Sequence, residues 1–293
     1  MRVFVTGASG WIGRVVVPEL INAGHEVVGL ARSDESAEKV KATGAEVLRG
    51  SIEDLESLRK GAAAADGVIH LAFIHDFSQY LAACETDRKA IEAIGEALAG
   101  TKKPFVITSG TLLFSDGTSR IATEEDPMPN NFPRAVGEQA ALALVDKNVR
   151  VSIIRLPPTV HGTGDQGFMK HIVDTARNTS YSGYVGDGTN RWPAVHVHDA
   201  ARLYALALEK APAGSKLHSV AEEGIPFRDI AGVIGKGLGS EVGPQTVEKF
   251  GFLSFAVNKD NPTSSEITKK KFGWAPVEIG LLEDIEANYC NNA

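Results

Sequence analysis

Cysteine is almost absent from this chain. Of its 293 residues only Cys84 and Cys290 carry a thiol. They lie far apart and form no Cys-x-x-Cys pair, which argues against a disulfide framework and for reducing surroundings. An excess of positive charge is missing too: 30 Lys and Arg stand against 37 Asp and Glu, a net charge of −7. That balance disfavours nucleic acid and anionic membrane as partners. No run of about 18 apolar residues is available to span a bilayer. The first strand starts at residue 2, so a cleaved leader would remove part of the first motif, and a cytoplasmic location is expected. Metal-ligand spacing is equally sparse. His196 and His198 alternate on a predicted strand, with Asp199 beside them, but lack a clear third ligand, so no metal is expected.

What the chain does have is core. At 43% hydrophobic and 23% charged, it suits one large or two intimate globular domains. The first thirteen residues read as an apolar strand (Val3–Val5), a glycine-rich turn and the start of a helix. Glycines at 7, 10 and 13 allow a tight turn, leave room for a pyrophosphate and let helix pack closely on strand. A diphosphate there meets the free N–H groups and positive dipole end of the helix. The strand-turn-helix context supports dinucleotide binding by Gly7, Ser9, Gly10, Trp11, Ile12 and Gly13.

Strand and helix signals then alternate: Glu26–Leu30, Ser36–Thr43, Glu46–Leu48, a helix to about Ala64 opened by a capping box of Ser51 and Asp54, Val68–Ala72, a long helix within Asp76–Leu98, Phe105–Ser109, Ala135–Asp146 and Val151–Leu156. This order predicts an α/β Rossmann fold, a doubly wound parallel sheet with helices on both faces. Beyond Pro157-Pro158 the pattern changes to a loop-rich stretch reaching Trp192. A strand at Val195–Val197, a helix from about Asp199 to Lys210 and a last strand of the main sheet at Leu217–Ala221 follow. The reading is a nucleotide-binding domain of residues 1–165 plus about 192–221, with a smaller, interleaved C-terminal substrate lobe of about 166–191 plus 222–293.

The nucleotide preference is read at the end of the second strand, where an acid would hold the ribose 2′-OH of NAD. Ala31 stands there and Arg32 follows. A guanidinium fork matches a phosphate, and Ser33 adds a hydroxyl, so NADP(H) is expected. Asp34 and Glu35 are expected to face the next helix.

Thr6-Gly-x-x-Gly-x-x-Gly13, Gly50–Asp54, Val68–Ala72, Arg155-Leu156-Pro157 and Trp192-Pro-Ala-Val-His-Val-His-Asp-Ala-Ala201 together resemble the extended short-chain dehydrogenase/reductases of the NAD-dependent epimerase/dehydratase type. The likeness is good over roughly residues 1–210 and looser beyond. It implies that Ser51 and Ile52 lie near the adenine. Leu71, Ala72 and Phe73 would pass under the cofactor, and Leu156, Pro157, Pro158 and Thr159 would lie near the nicotinamide. It also implies a general-acid tyrosine in Tyr-x-x-x-Lys, and here the chain departs. None of its five tyrosines begins that motif. Aligned on Glu138, Asn130 takes the tyrosine place and Arg134 the lysine place; Gly110, flanked by Ser109 and Thr111, takes the serine place. Asparagine cannot release a proton near neutral pH. Arginine still holds ribose hydroxyls and adds positive charge.

The expected activity is therefore atypical: NADP(H)-dependent reduction of a small organic carbonyl or related unsaturated substrate. The substrate would lie among Phe73, Ser109–Thr111, Pro157–His161 and the C-terminal lobe. Ser109, Thr111 and Arg134 are the candidate donors to a developing oxyanion, and His161 a substitute acid. The alternatives are a non-catalytic NADP(H)-binding sensor or regulator, and a non-redox catalyst using the same pocket. His75 and Asp76 could form a relay, but Asp76 is read more readily as the cap of the following helix, and His70 as a core residue. Phe73, Phe77, Phe168, Tyr181, Tyr184 and Trp192 are candidate pocket aromatics. Glu124-Glu125-Asp126 is read as a solvated acidic run in a long loop. A monomer or homodimer is expected.

Overall fold

The computed structural model describes residues 1–115, 117, 119–129 and 132–290. The chain runs β1 (Arg2–Thr6), α1 (Gly13–Asn22), β2 (Glu26–Ala31), α2 (Asp34–Ala42), β3 (Glu46–Arg49), α3 (Leu55–Ala63), β4 (Gly67–His70), α4 (Tyr80–Leu98), β5 (Pro104–Gly110), α5 (Ala135–Ala143) and β6 (Arg150–Leu156). It continues as β7 (Thr159–His161), α6 (Phe168–Thr179), β8 (Tyr181–Tyr184), β9 (Arg191–His196), α7 (Val197–Lys210), β10 (Ser215–His218), β11 (Glu222–Pro226), α8 (Phe227–Leu238), β12 (Glu241–Pro244), α9 (Glu266–Phe272) and α10 (Leu281–Asp284).

Two compact units result. The first comprises Met1–Ser109, Pro127–Arg155 and Ala201–Leu217; the second comprises Gly110–Asp126, Leu156–Ala200 and His218–Ala293. Residues 156–165 and 192–200 thus lie in the second unit.

The seven-stranded parallel sheet has the order β10-β6-β5-β4-β1-β2-β3, the doubly wound arrangement that the alternating pattern predicts. Val3, Phe4 and Val5 are fully buried, because a central parallel strand is covered by helices on both faces. Helices α3 and α4 are packed by Leu58, Ala90, Ile91, Ile94 and Leu98 into one core with Phe4, Phe105 and Ile153. In the same unit Arg155 is fully buried and meets both oxygens of Glu138 on α5, at 3.0 and 2.9 Å.

The second unit holds a three-stranded sheet, β11-β9-β7, and the parallel pair β12-β8. Its core gathers Met169, Ile172, Val173, Trp192, Phe227, Ile230, Ile234 and Leu281.

Four expectations need correction. Residues 157–192 are not loop: α6 lies there, its buried face Met169, Ile172, Val173 and Ala176 following helical spacing. The box opening α3 is not one, since Asp54 alone caps Ser57 N–H while Ser51 closes the turn before it by accepting from Glu53 and Asp54 N–H. His198 lies in α7 rather than on a strand, and its N–H donates to His196 Nδ1. Glu124 is not solvated: it is 3% exposed, and its Oε1 accepts from the N–H and hydroxyl of Thr268, closing the start of α9. The expected cap at Asp76 is present, on Ser78 N–H.

Breaking a buried ion pair strands a charge, at a cost of about 3–5 kcal/mol. Arg155→Met is expected to destabilise the first unit by that amount in urea unfolding followed by Trp11 fluorescence. A loss under about 1 kcal/mol would contradict the role assigned to the pair.

Candidate functional site

In the first unit the glycine turn is packed against the end of β4. Gly7 has φ +69°, and a Cβ on it would stand 2.7 Å from Ala72 N. One on Gly13 would stand 2.1 Å from Gly7 O. Leu71 N–H donates to Thr6 O, and Ala72 N–H donates to Thr6 Oγ1. Helix α1 begins at Ile12 with no side-chain cap and no acid in its first turn, so nothing competes there with a bound anion. Trp11 lies beside Arg14, 5.8 Å from guanidinium to ring centre. A cradle that admits only glycine, closed by Leu71 and Ala72 and ending on an uncapped helix, fits a dinucleotide pyrophosphate.

At the end of β2, Arg32 is exposed. Ser33 is the N-cap of α2, in a reciprocal box with Ser36. Arg49, at the end of β3, was missed by the sequence reading. It donates to Ser33 O at 2.6 Å and to Asp34 Oδ1 at 2.8 Å, so Asp34 turns to Arg49 while Glu35 pairs with Lys39. Ile52 packs on the main core, and Ser51 makes the turn described above.

The densest polar construction runs inward from the same turn. Thr6 Oγ1 lies 2.7 Å from His70 Nδ1. His70 Nε2 lies 3.3 Å from Asp87 Oδ1, and Asp87 Oδ2 lies 2.7 Å from Arg134 Nη1. Arg134 Nη2 donates to Thr108 O at 3.0 Å, and its guanidinium sits 3.9 Å over the Phe73 ring. His70 and Asp87 are each 1% exposed. His70 is thus the satisfied core residue expected of it, and Asp87 is the buried acid the sequence reading overlooked. A Cβ on Gly137 would reach 2.8 Å from Asp87 Oδ2, so α5 comes close enough only because glycine is there. Burial pushes the Asp87 carboxyl up; Arg134 and His70 beside it more than reverse that and hold it below the ordinary range.

Ser109 ends the first segment of this unit, buried, its hydroxyl without a hydrogen-bond partner among the described residues. Asn130, at the tyrosine place, lies outside the described residues, as does the side chain of Phe77.

In the second unit Thr111 N–H donates to Leu156 O at 2.8 Å. The Thr111 hydroxyl donates to Asn261 Oδ1, and Asn261 Nδ2 returns a bond to Thr111 O. That hydroxyl is therefore already spoken for. Pro157 and Pro158 lead into β7, where Thr159 pairs with Ala194 and His161 with His196 of β9. Thr159 Oγ1 and His161 Nε2 are buried without a partner among the described residues. His161 Nδ1 is 2.8 Å from Asp284 Oδ2, and Asn288 donates to the other Asp284 oxygen. Tyr289 donates to Asp165 Oδ2 at 2.8 Å and accepts from Gly162 N–H. Burial pushes the Asp165 carboxyl up. Of the pocket aromatics proposed from sequence, Trp192 is wholly buried in the core. A separate polar cavity of about 480 Å³ is lined by Ser119, Asp187, Asn190, Arg191, Asn258 and Asp260 among others, with Arg191 held by Asp260 through two bonds.

Unpartnered buried polar atoms are rare in native proteins and mark ligand contacts or water sites. Four of them, on Ser109, Arg134, Thr159 and His161, fall on candidate site residues, the Arg134 nitrogen being ion-paired to Asp87, and a fifth falls on the candidate pocket aromatic Trp192. No group of three His, Cys, Asp or Glu among the described residues could hold a metal, and none of their helices is long and apolar enough to cross a membrane.

Comparison with known proteins decides the lineage, since residues 3–220 match the NAD dependent epimerase/dehydratase family. The chain belongs to that family. An uncharacterized protein of Saccharomyces cerevisiae is 51% identical over 300 residues, covering 100% of both chains. The 4-hydroxy-2-methyl-3-oxo-4-farnesyl-3,4-dihydroquinoline-1-oxide ketoreductase of Stigmatella aurantiaca is 29% identical, over 73% of this chain and 66% of its own. The dTDP-glucose 4,6-dehydratase of Streptomyces venezuelae, solved with NAD, shares the fold at TM-score 0.80 and 20% identity, over 99% of this chain and 96% of that one. Family and relatives support an NAD(P)-dependent oxidoreductase type of function.

A depressed carboxyl contributes stability that is fully present above its unfolded pKa, about 3.9, and lost as pH falls through its folded value. Asp87→Asn is therefore expected to be less stable than the parent at neutral pH and to lose less on acidification below about pH 4. Parallel acid-unfolding slopes for the two proteins would refute this.

Proposed function

We propose that the protein is an NADP(H)-dependent reductase acting on a small organic carbonyl or related unsaturated substrate. The observation that carries this reading is the end of β2. No acid stands at Ala31, Arg32 is exposed, and the next carboxylate along the chain, Asp34, is paired with Arg49. A site of that charge suits a 2′-phosphate better than a bare ribose. The name of the Stigmatella relative, a ketoreductase, supports carbonyl reduction.

In this reading Gly7, Ser9, Gly10, Trp11, Ile12 and Gly13 hold the pyrophosphate at the start of α1. Arg32 and Ser33 hold the 2′-phosphate, and Ser51 and Ile52 the adenine. Leu71, Ala72 and Phe73 support the cofactor, Arg134 brings positive charge to the nicotinamide ribose, and Leu156, Pro157, Pro158 and Thr159 are the nicotinamide neighbours. When bound, the nicotinamide supplies hydride. The protein's part is positioning and charge stabilisation. The Ser109 hydroxyl, buried and without a partner, is suited to donate to a developing oxyanion. Thr111, its hydroxyl on Asn261, and Arg134, ion-paired to Asp87 and bound to Thr108 O, act by holding local geometry. His161 is left as a buried imidazole backed by Asp284.

The second reading, a non-catalytic NADP(H) sensor, draws on those same engaged groups; substrate-dependent loss of NADPH absorbance separates it from the first. Paired calorimetric titrations test the nucleotide. NADPH is expected to bind at least about tenfold more tightly than NADH, with Arg32→Ala costing about ten- to a hundredfold for NADPH and little for NADH. Equal losses for both would overturn the phosphate assignment.

A further inference from the structure

The missing general acid has a candidate outside the motif that normally provides it. Phe73 sits at the centre of a side-chain cluster in the first unit. Arg134 covers one face of its ring, and two rings meet it edge-on: His75 at 5.4 Å and Tyr80 at 6.3 Å between centroids. Phe73 directly follows Leu71 and Ala72, which close the glycine cradle. The cluster therefore lies beyond the carboxyl end of β4, where ligands of an open parallel sheet are held.

The tyrosines narrow quickly. The Tyr181 hydroxyl donates to Pro244 O, Tyr184 packs on the core of its own unit, and Tyr289 is bound between Asp165 and Gly162. Tyr204, in the first unit, is wholly buried with its hydroxyl on Thr108. Tyr80 remains, half-buried at the first residue of α4.

We propose that Tyr80 is the proton donor of the reductase, working beside Arg134 in place of the tyrosine whose position Asn130 takes. The proposal rests on the reductase reading above. The Cys84 thiol is beside the Tyr80 hydroxyl, one turn along α4. Sulfur is a weak acceptor, so a carbonyl oxygen acquiring negative charge competes well for that proton. Burial, with Cys84 and Asp87 nearby, pushes the hydroxyl up to about 12, while the Arg134 charge draws it down. It is thus protonated at neutral pH, and still far more acidic than the alcohol formed. In the step itself, hydride from NADPH forms the new C–H bond, and the carbonyl π pair takes the Tyr80 proton, giving alcohol and NADP⁺. The phenoxide left beside Arg134 regains its proton from water. His75, the other titratable ring on Phe73, is the rival donor.

The test compares the parent with Tyr80→Phe, which keeps the ring against Phe73, and with His75→Asn. Calorimetry first establishes NADP⁺ binding; its absence would overturn the reductase reading itself, and this assignment with it. Tyrosinate absorbance is then titrated with and without saturating NADP⁺. The component missing from Tyr80→Phe is expected to titrate about one pH unit or more lower when the cationic nicotinamide is bound. With para-nitrobenzaldehyde and NADPH, Tyr80→Phe is expected to lower kcat about 10²–10⁴-fold while leaving KM and NADPH affinity nearly unchanged. His75→Asn should keep kcat. An unmoved tyrosine titration, or a kcat lost in His75→Asn and kept in Tyr80→Phe, would overturn the assignment. If the aldehyde is not reduced, the titration alone decides.

Discussion

A carboxylate buried as deeply as Asp87 is tolerable only where positive charge and hydrogen bonds meet both of its oxygens. Meeting that requirement organises the first unit. One oxygen takes His70 from β4, which in turn fixes Thr6 at the end of β1. The other takes Arg134, at the start of α5, which ties back to β5 through Thr108 O. One acid on α4 thereby connects three sheet strands and a second helix. It does so where β1 and β4 end and the nucleotide cradle begins. The low local dielectric that makes such a group costly when unpaired makes its pairs strong and directional once they form.

The same arrangement changes what arginine does at the lysine place. A lysine there would present a mobile ammonium. Arg134 is instead clamped by Asp87, Thr108 O and the face of Phe73. A planar guanidinium suits that kind of fixture, stacking on an aromatic while its fork reaches two acceptors. Its fixed charge then acts on whatever is acidic nearby, and the half-buried phenol of Tyr80 is such a group. The second unit uses related devices for another purpose. Asp284 at the end of α10 and Tyr289 beyond it attach that segment to β7 and the turn after it, through His161, Gly162 and Asp165.

Much of the first unit was legible because its signals are local. The glycine turn, the alternation of strands and helices through β6, and the non-acidic end of β2 each occupy a few consecutive residues. The failures have physical reasons. Helix α6 follows helical spacing at Met169, Ile172, Val173 and Ala176, but two prolines before it and glycines around it suggested loop. Asp87 falls in phase with Ala83, Ala90, Ile91 and Ile94 on the buried face of α4. Its neighbours Glu85, Arg88 and Lys89 are charged as well, so nothing in the local sequence sets it apart. Glu124 looked solvated because its partner, Thr268, is 144 residues away. His161 and Asp284 are 123 residues apart. No local pattern announces pairings of that range. Tyr80 belongs to no motif, and only the fold brings its ring to Phe73 at the end of β4.

The interleaved path also shapes how the protein is made. The two strands of one flank of the main sheet arrive late: β6 at residues 150–156 and β10 at 215–218. During synthesis β5 therefore presents an unpaired edge until β6 emerges, and β6 does the same until β10 follows. Open parallel edges of this kind are sites where nascent chains stick to one another. By Leu217 all the segments of the first unit exist, whereas the second still awaits everything from His218 onward. A ribosome that stalled soon after Leu217 would thus release a completed nucleotide scaffold attached to scattered fragments of its companion, cargo for quality control rather than a smaller working protein.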